Sequence, residues 1–241
     1  MQHALTSVRR SYRARQFERL EERKMQIPHQ IQILRSHVLR MAMLSHRAVD
    51  YSIKAFEFGK PEFGRLVYDS QHQWREVQGL ISECGRVLVD AGSLVDLESQ
   101  FARSTLQIYS SLRVTYAAAT EIAHNSMLMR DGGRSLRSKE LRTMGRFVNV
   151  LAALYTVALF KMERRHAMTI LNYGYSWRRF DLALSLLRGS LAHQTGEQAR
   201  YELAVACSLA QIAHEACEIA EAFKLCLDGE GCSGTLRKRA A

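Results

Sequence analysis

The stretch EIAHN at residues 121–125 is written a second time as QIAHE at 211–215. Each copy reads polar, Ile-Ala-His, polar, near the end of an apolar helical stretch. A phrase used once in each half of the chain asks whether the halves are copies, and internal repeats decide architecture before anything else. Working outward, a second match is longer. Val67, Trp74, Val77, Ile81, Cys84 and Leu88 follow steps of seven, three, four, three and four, which is one stripe of a packed helix. Ile170, Trp177, Phe180, Leu184, Leu187 and Leu191 repeat those steps 103 residues later, and the Arg after each Trp repeats as Arg75 and Arg178. At the same offset Val38, Met41, Leu44, Ala48, Tyr51 and Ala55 map onto Leu141, Met144, Phe147, Leu151, Leu154 and Ala158. The offset falls to 90 at His124 and His214, so the first half carries thirteen more residues between its Trp and its His. The surplus is placed around DAGSLVDLESQ at 90–100, where Gly and Asp mark a turn.

The pattern predicts an all-α protein: a tandem duplication of a three-helix bundle, with six long antiparallel helices. The first is expected over Pro28 to Phe58, closed by Gly59, with Pro61 opening the second, which runs to about Asp90. The third is expected from Leu94 or Ser104 to Met129, the fourth over 138–162, the fifth over 165–193 and the sixth over 197–227. The expected domains are therefore a basic, helical N-terminal extension at 1–27, a first bundle at 28–130, a connector at 131–137, a second bundle at 138–228 and a basic tail at 229–241. RDGGRS at 130–135 supplies the break between the halves. Only two prolines in 241 residues, with abundant Leu, Ala, Arg, Glu and Met, agree with helix.

Composition narrows the function classes. The apolar run from Phe147 to Phe160 is shorter than the ~20 residues that span a bilayer and reads as a buried helix. The N-terminus is Arg-rich without a secretory apolar core, so a cytoplasmic protein is expected. Five cysteines (Cys84, Cys207, Cys217, Cys226 and Cys232) form no CxxC and are read as reduced structural thiols. The net charge of +10 is concentrated partly in SVRRSYRARQFERLEERK at 7–24 and in the terminal TLRKRAA. Such runs are solvated surface by default and can hold an acidic partner or an anionic membrane face, so peripheral membrane contact through the N-terminus is kept open. No zinc finger or RNA-binding signature argues for nucleic acid. Neither a strained nucleophile turn nor a phosphate loop is present, so no enzyme is expected; RDGGRS lacks the Lys and spacing of a P-loop.

The candidate chemistry lies at the repeated histidines. His214 has Glu218 four residues on and Cys217 three on, and His124 has Glu121 three residues before it. Histidine with a nearby carboxylate suits zinc or iron, and the alternative is a pair of surface histidines with no ligand role. Glu121 with His124 and Glu163 with His166 also fit the Glu-x-x-His spacing of di-iron bundles, but the further glutamates such a site needs are not visible in the apolar stripes. Trp74 and Trp177 share the seam position and are read as core anchors.

The chain resembles the PhoU family, regulators of phosphate uptake built as two tandem three-helix bundles. Ile31, Leu34, Arg35, Val38, Leu39 and Met41 follow the family's first-helix pattern. AQIAHEACEIAE at 210–221 resembles its E-R-I-G-D-H-A-x-N-I-A-E phrase through Ile212, Ala216, Ile219, Ala220 and Glu221, and TEIAHNSMLMR at 120–130 is a weaker copy. The resemblance covers roughly 29–226 and implies a non-enzymatic regulator. It also implies a homodimer that docks on a phosphate-sensing histidine kinase or on a phosphate transporter's ATPase. It departs at the metal motif. Where the family has an acidic pair four residues apart, this chain has Thr120 with His124 and Ala210 with His214, and the acids after the second and fifth stripes become Gln71 and Gly174. Glu121, His124, His214 and Glu218 are therefore the residues that would carry a rewritten zinc or iron site.

Overall fold

The computed structural model describes residues 2–90, 96–131, 138–174 and 197–239, with positions 185 and 189, and side-chain surroundings within 29–88, 100–129, 138–173 and 197–227. Its described elements are helices: α1 (Gln2–Phe58), α2 (Pro61–Asp69), α3 (Gln71–Asp90), α4 (Asp96–Asp131), α5 (Lys139–Lys161), α6 (Arg164–Gly174) and α7 (Glu197–Arg239). No strand occurs among the described residues. The expected thirteen-residue surplus around 90–100 falls partly on 91–95, outside the described residues, as do most of RDGGRS and the fifth-helix stripe from Trp177 to Leu191.

Three boundaries differ from expectation. Pro28 does not open the first helix, because α1 is continuous from Gln2, so the basic extension and the first bundle helix are one element. The sixth helix continues past 227 to Arg239. The second helix is two, broken at Ser70. The cause of that break is local. Ser70 Oγ donates to the Val67 carbonyl at 2.7 Å, and Tyr116 Oη donates to the same oxygen at 3.1 Å. In an unbroken helix that carbonyl would serve the N–H of Gln71.

Packing follows the duplication. α1, α4, α7 and α5 close into a ring in which α4 against α7 is the largest interface, while α2 and α3 cover α1 and α4, and α6 covers α5 and α7. One continuous apolar core runs through both halves, from Leu34 to Cys226. The cross-half pairs are antiparallel. On α1 and α5, Asn149 Nδ2 donates to Asp50 Oδ1 at 3.2 Å and Tyr155 Oη donates to Ser45 Oγ at 3.2 Å, bracketing Ala48 and Leu151. On α4 and α7, Ser208 Oγ donates to Glu121 Oε2 at 3.0 Å and Gln107 Nε2 donates to Glu218 Oε2 at 3.4 Å, bracketing Ala119 and Leu209. Both bracketed pairs are repeat mates, so equivalent positions meet at the middle of each antiparallel pair. That is the geometry of a pseudo-twofold axis through the bundle.

The two copies close their first helices alike. Gly59 has φ 61 and its repeat mate Met162 has φ 54, both left-handed. Nothing lies within 4 Å of a Cβ added at Gly59, so a substitution there meets only backbone strain. Gly59→Ala is expected to cost about 1 kcal/mol in chemical denaturation, the usual penalty for a side chain at positive φ; an unchanged midpoint would contradict the assigned turn.

Candidate functional site

Helix periodicity sorts the repeated phrase into faces. Ile122, Ala123, Ile212 and Ala213 are fully buried in the α4–α7 seam. His124 and His214 point outward and are exposed. The last letter of each copy, Asn125 and Glu215, is buried again. Each buried polar group is satisfied one turn back on its own helix: Asn125 Nδ2 donates to the Glu121 carbonyl at 2.9 Å, and Gln211 Nε2 donates to Glu215 Oε1 at 2.6 Å. The phrase is thus a packing unit whose polar ends pair at i and i+4, as buried polar groups must.

The antiparallel register separates the histidines. Glu121 stands against Ser208. His124 lies one turn beyond Glu121, and His214 six residues beyond Ser208 in the opposite direction, so the imidazoles are offset by roughly 13 Å along the shared axis. Glu121 is bonded to Ser208, away from His124. His214 Nε2 lies 4.0 Å from Glu218 Oε1, beyond hydrogen-bond length, while Gln107 holds the other carboxylate oxygen. Cys217, three residues from His214, is half-buried, and burial with the charges of Glu221 and Glu218 pushes its pKa up. Among the described residues no group of three or more His, Cys, Asp or Glu stands together. The residues at the family's metal positions therefore do not fit a zinc or iron centre, which needs at least three converging protein ligands.

Glu163 and His166 stand apart from this seam. They flank the start of α6, where the Glu163 carboxylate is 2.6 Å from Arg165 Nε and 3.3 Å from His166 Nδ1. Met162, just before them, shares a groove with Phe101 and Cys226, at the opposite end of α4 from His124. The two Glu-x-x-His motifs are thus not brought together. Gln71 opens α3 and Gly174 closes the described part of α6; Thr120 donates to the Tyr116 carbonyl at 2.9 Å within α4, and Ala210 is half-buried.

Sequence reading missed a polar node behind Trp74. The Trp74 ring stacks on Tyr116 at 4.0 Å between centroids and 10° between planes. The Tyr116 hydroxyl lies 2.8 Å from Ser70 Oγ, and burial pushes its pKa up despite that bond, keeping it a neutral donor. The helical spacing gave Trp74 as a core anchor and carried no sign of Tyr116 or of its hydroxyl's partner in the Ser70 break. Tyr116→Phe is expected to lower stability by about 1 kcal/mol, the net worth of a buried hydrogen bond, and calorimetry of the variant measures it.

Searches against protein-family models and curated proteins find no match. Solved structures do match. PhoU from Pseudomonas aeruginosa aligns with a TM-score of 0.76 at 18% identity, covering 84% of this chain and 99% of that one. The phosphate transport system regulatory protein PhoU from Streptococcus pneumoniae aligns with a TM-score of 0.69 at 18% identity, covering 82% and 94%. The chain has the PhoU fold.

Proposed function

We propose that this protein is a cytoplasmic, non-enzymatic regulator of phosphate uptake and phosphate-responsive signalling. It acts as a homodimer that lays a helical face on a phosphate-sensing histidine kinase or on a phosphate transporter's ATPase. The observation that carries this reading is the likeness to two PhoU proteins over nearly their whole length, one of them a phosphate transport system regulatory protein. The chemistry is compatible with docking. A bundle with long exposed helix faces can cover a partner's helices and bias the partner toward one state, provided it binds the two states unequally. Regulation is assigned to the surface because the family's acidic pairs are replaced at Thr120, His124, Ala210 and His214.

The test is affinity capture with the full chain from phosphate-rich and phosphate-starved cells of the encoding organism. The reading expects a histidine kinase or transporter ATPase of the phosphate system to be enriched, to different extents in the two conditions. Capture of neither protein in either condition would contradict it.

A further inference from the structure

α1 outruns the bundle that it helps to build. Arg35 of α1, Phe101 of α4 and Cys226 of α7 line one groove, which sets them level at one end of the bundle. From that level α1 runs back to Gln2 for roughly 50 Å, at about 1.5 Å per residue. α4 begins at Asp96, roughly 8 Å past Phe101, and α7 ends at Arg239, roughly 20 Å past Cys226. Residues 2–17 of α1 therefore project beyond the described ends of both neighbours.

Charge is divided unevenly along this projection. Arg9, Arg10, Arg13 and Arg15 lie within 2–17, where no Asp or Glu occurs. Acids begin at Glu18, and there Glu18, Glu21 and Glu22 balance Arg19, Arg23 and Lys24. A side chain on a helix reaches partners three or four positions away. Arg15 has Glu18 in that range, whereas Arg9, Arg10 and Arg13 have no carboxylate in reach along α1. Asp96 of α4 and Glu230 of α7 stop roughly 20 Å short of Arg15 along the axis, well past the screening length at physiological salt.

Spacing adds a second feature. The core seam of α1, carried back from Leu34 in steps of three and four, meets Ile31, Ile27, Lys24, Leu20, Phe17, Arg13 and Arg10. Cations interrupt it, so the projecting segment continues no seam for the bundle or for a coiled-coil copy. Leu5, Val8 and Tyr12 instead share one face at i, i+3 and i+7. Arg9 and Arg15 fall on either side of that face, and Arg10 falls nearly opposite it.

The two features together select the occupant. Arginines with no acid in reach are attracted to an anionic surface. A nucleic-acid backbone would satisfy the arginines and leave Leu5 and Val8 in water. An anionic bilayer accommodates both, with phosphates for the arginines and the acyl boundary for the apolar face, as for a basic amphipathic helix lying in the headgroup region. Pro28 favours that placement. It has no N–H to give the Lys24 carbonyl, which loosens α1 between the projecting segment and the bundle.

We propose that residues 2–17 of α1 dock the protein on an anionic lipid bilayer, with Leu5, Val8 and Tyr12 entering the interface and Arg9, Arg13 and Arg15 meeting lipid phosphates. The site belongs to the projecting helix, and it stands whether or not the phosphate-regulation reading holds.

Flotation of the full chain with vesicles rich in phosphatidylglycerol, against pure phosphatidylcholine, tests it. The wild type is expected to float with the anionic vesicles, less so as salt is raised, and not with the neutral ones. Arg9→Gln with Arg13→Gln and Arg15→Gln is expected to lower the partition coefficient by about tenfold or more. Leu5→Gln with Val8→Gln is expected to lower it by about tenfold. Arg10→Gln should lose less than Arg9→Gln. Thermal melts followed by circular dichroism check that the bundle is intact in each variant. Failure of the wild type to float with anionic vesicles would overturn the proposal. So would wild-type flotation of the triple arginine variant or of the Leu5 and Val8 variant, or equal losses at Arg9 and Arg10. A gel shift of duplex DNA or RNA at protein concentrations that leave the vesicles unbound would assign the arginines to nucleic acid and overturn it as well.

Discussion

Gly145→Leu is expected to destabilise the protein by about 3 kcal/mol, at the upper end of the usual cost of overpacking a closed core. Gly145 is buried where α5 crosses α1. A Cβ there would lie 2.7 Å from Phe56 Cζ and 3.3 Å from Ile53 Cγ2, and both neighbours belong to the facing helix. Phe56 is 3% exposed, so its ring has no solvent side to move into. The alanine variant is the weaker test, because Gly→Ala in a helix interior returns about 1 kcal/mol of propensity and masks part of the overlap. Leucine adds no further propensity gain to offset its larger volume. For a chain of this size the melting temperature should fall by roughly 6–12 °C. Phe56→Ala should cost about 3–5 kcal/mol alone, yet combined with Gly145→Leu it should cost less than the sum, because the new side chain fills the vacated space. Strict additivity would place Gly145 away from Phe56.

Ile122→Ala and Ile212→Ala are each expected to cost about 3 kcal/mol, within the range for deleting a buried Ile side chain beyond Cβ. Both residues are fully buried in the largest interface of the fold, and they are repeat mates across the axis. Since the core is continuous, each variant should shift one common unfolding transition rather than melt its own half. Their neighbours set the contrast. His124→Ala and His214→Ala remove exposed side chains and should stay within about 0.5 kcal/mol of wild type. Urea titrations of the four variants separate the readings: a large loss at either histidine would mean that the imidazole is structurally engaged.

The repeat made the helices legible because a packed seam forces apolar residues every three or four positions, and Val67, Trp74, Val77 and Ile81 obey that rule while buried. Boundaries were less legible. The break at Ser70 depends on the Tyr116 hydroxyl reaching Val67 from another helix, a contact no local pattern encodes. Pro28 read as a helix start because its ring removes a donor, yet α1 runs through it. Near the histidines, spacing showed correctly that Glu218 shares a face with His214. It could not show that Glu121 turns to Ser208, because that direction is set by the facing helix. The buried state of Asn125 and Glu215 was hidden for the same reason: both letters are polar, and only the α4–α7 packing covers them. The apolar run in α5 read as a buried helix, whereas Val150 and Phe160 lie on its open side.

The central claim, that this bundle regulates phosphate uptake, is tested most directly by measuring phosphate uptake in the encoding organism with the gene deleted and restored. In phosphate-replete medium the account predicts an uptake rate that changes on deletion and returns on complementation with the wild-type chain. Identical uptake in deleted and complemented cells, both replete and starved, would contradict it.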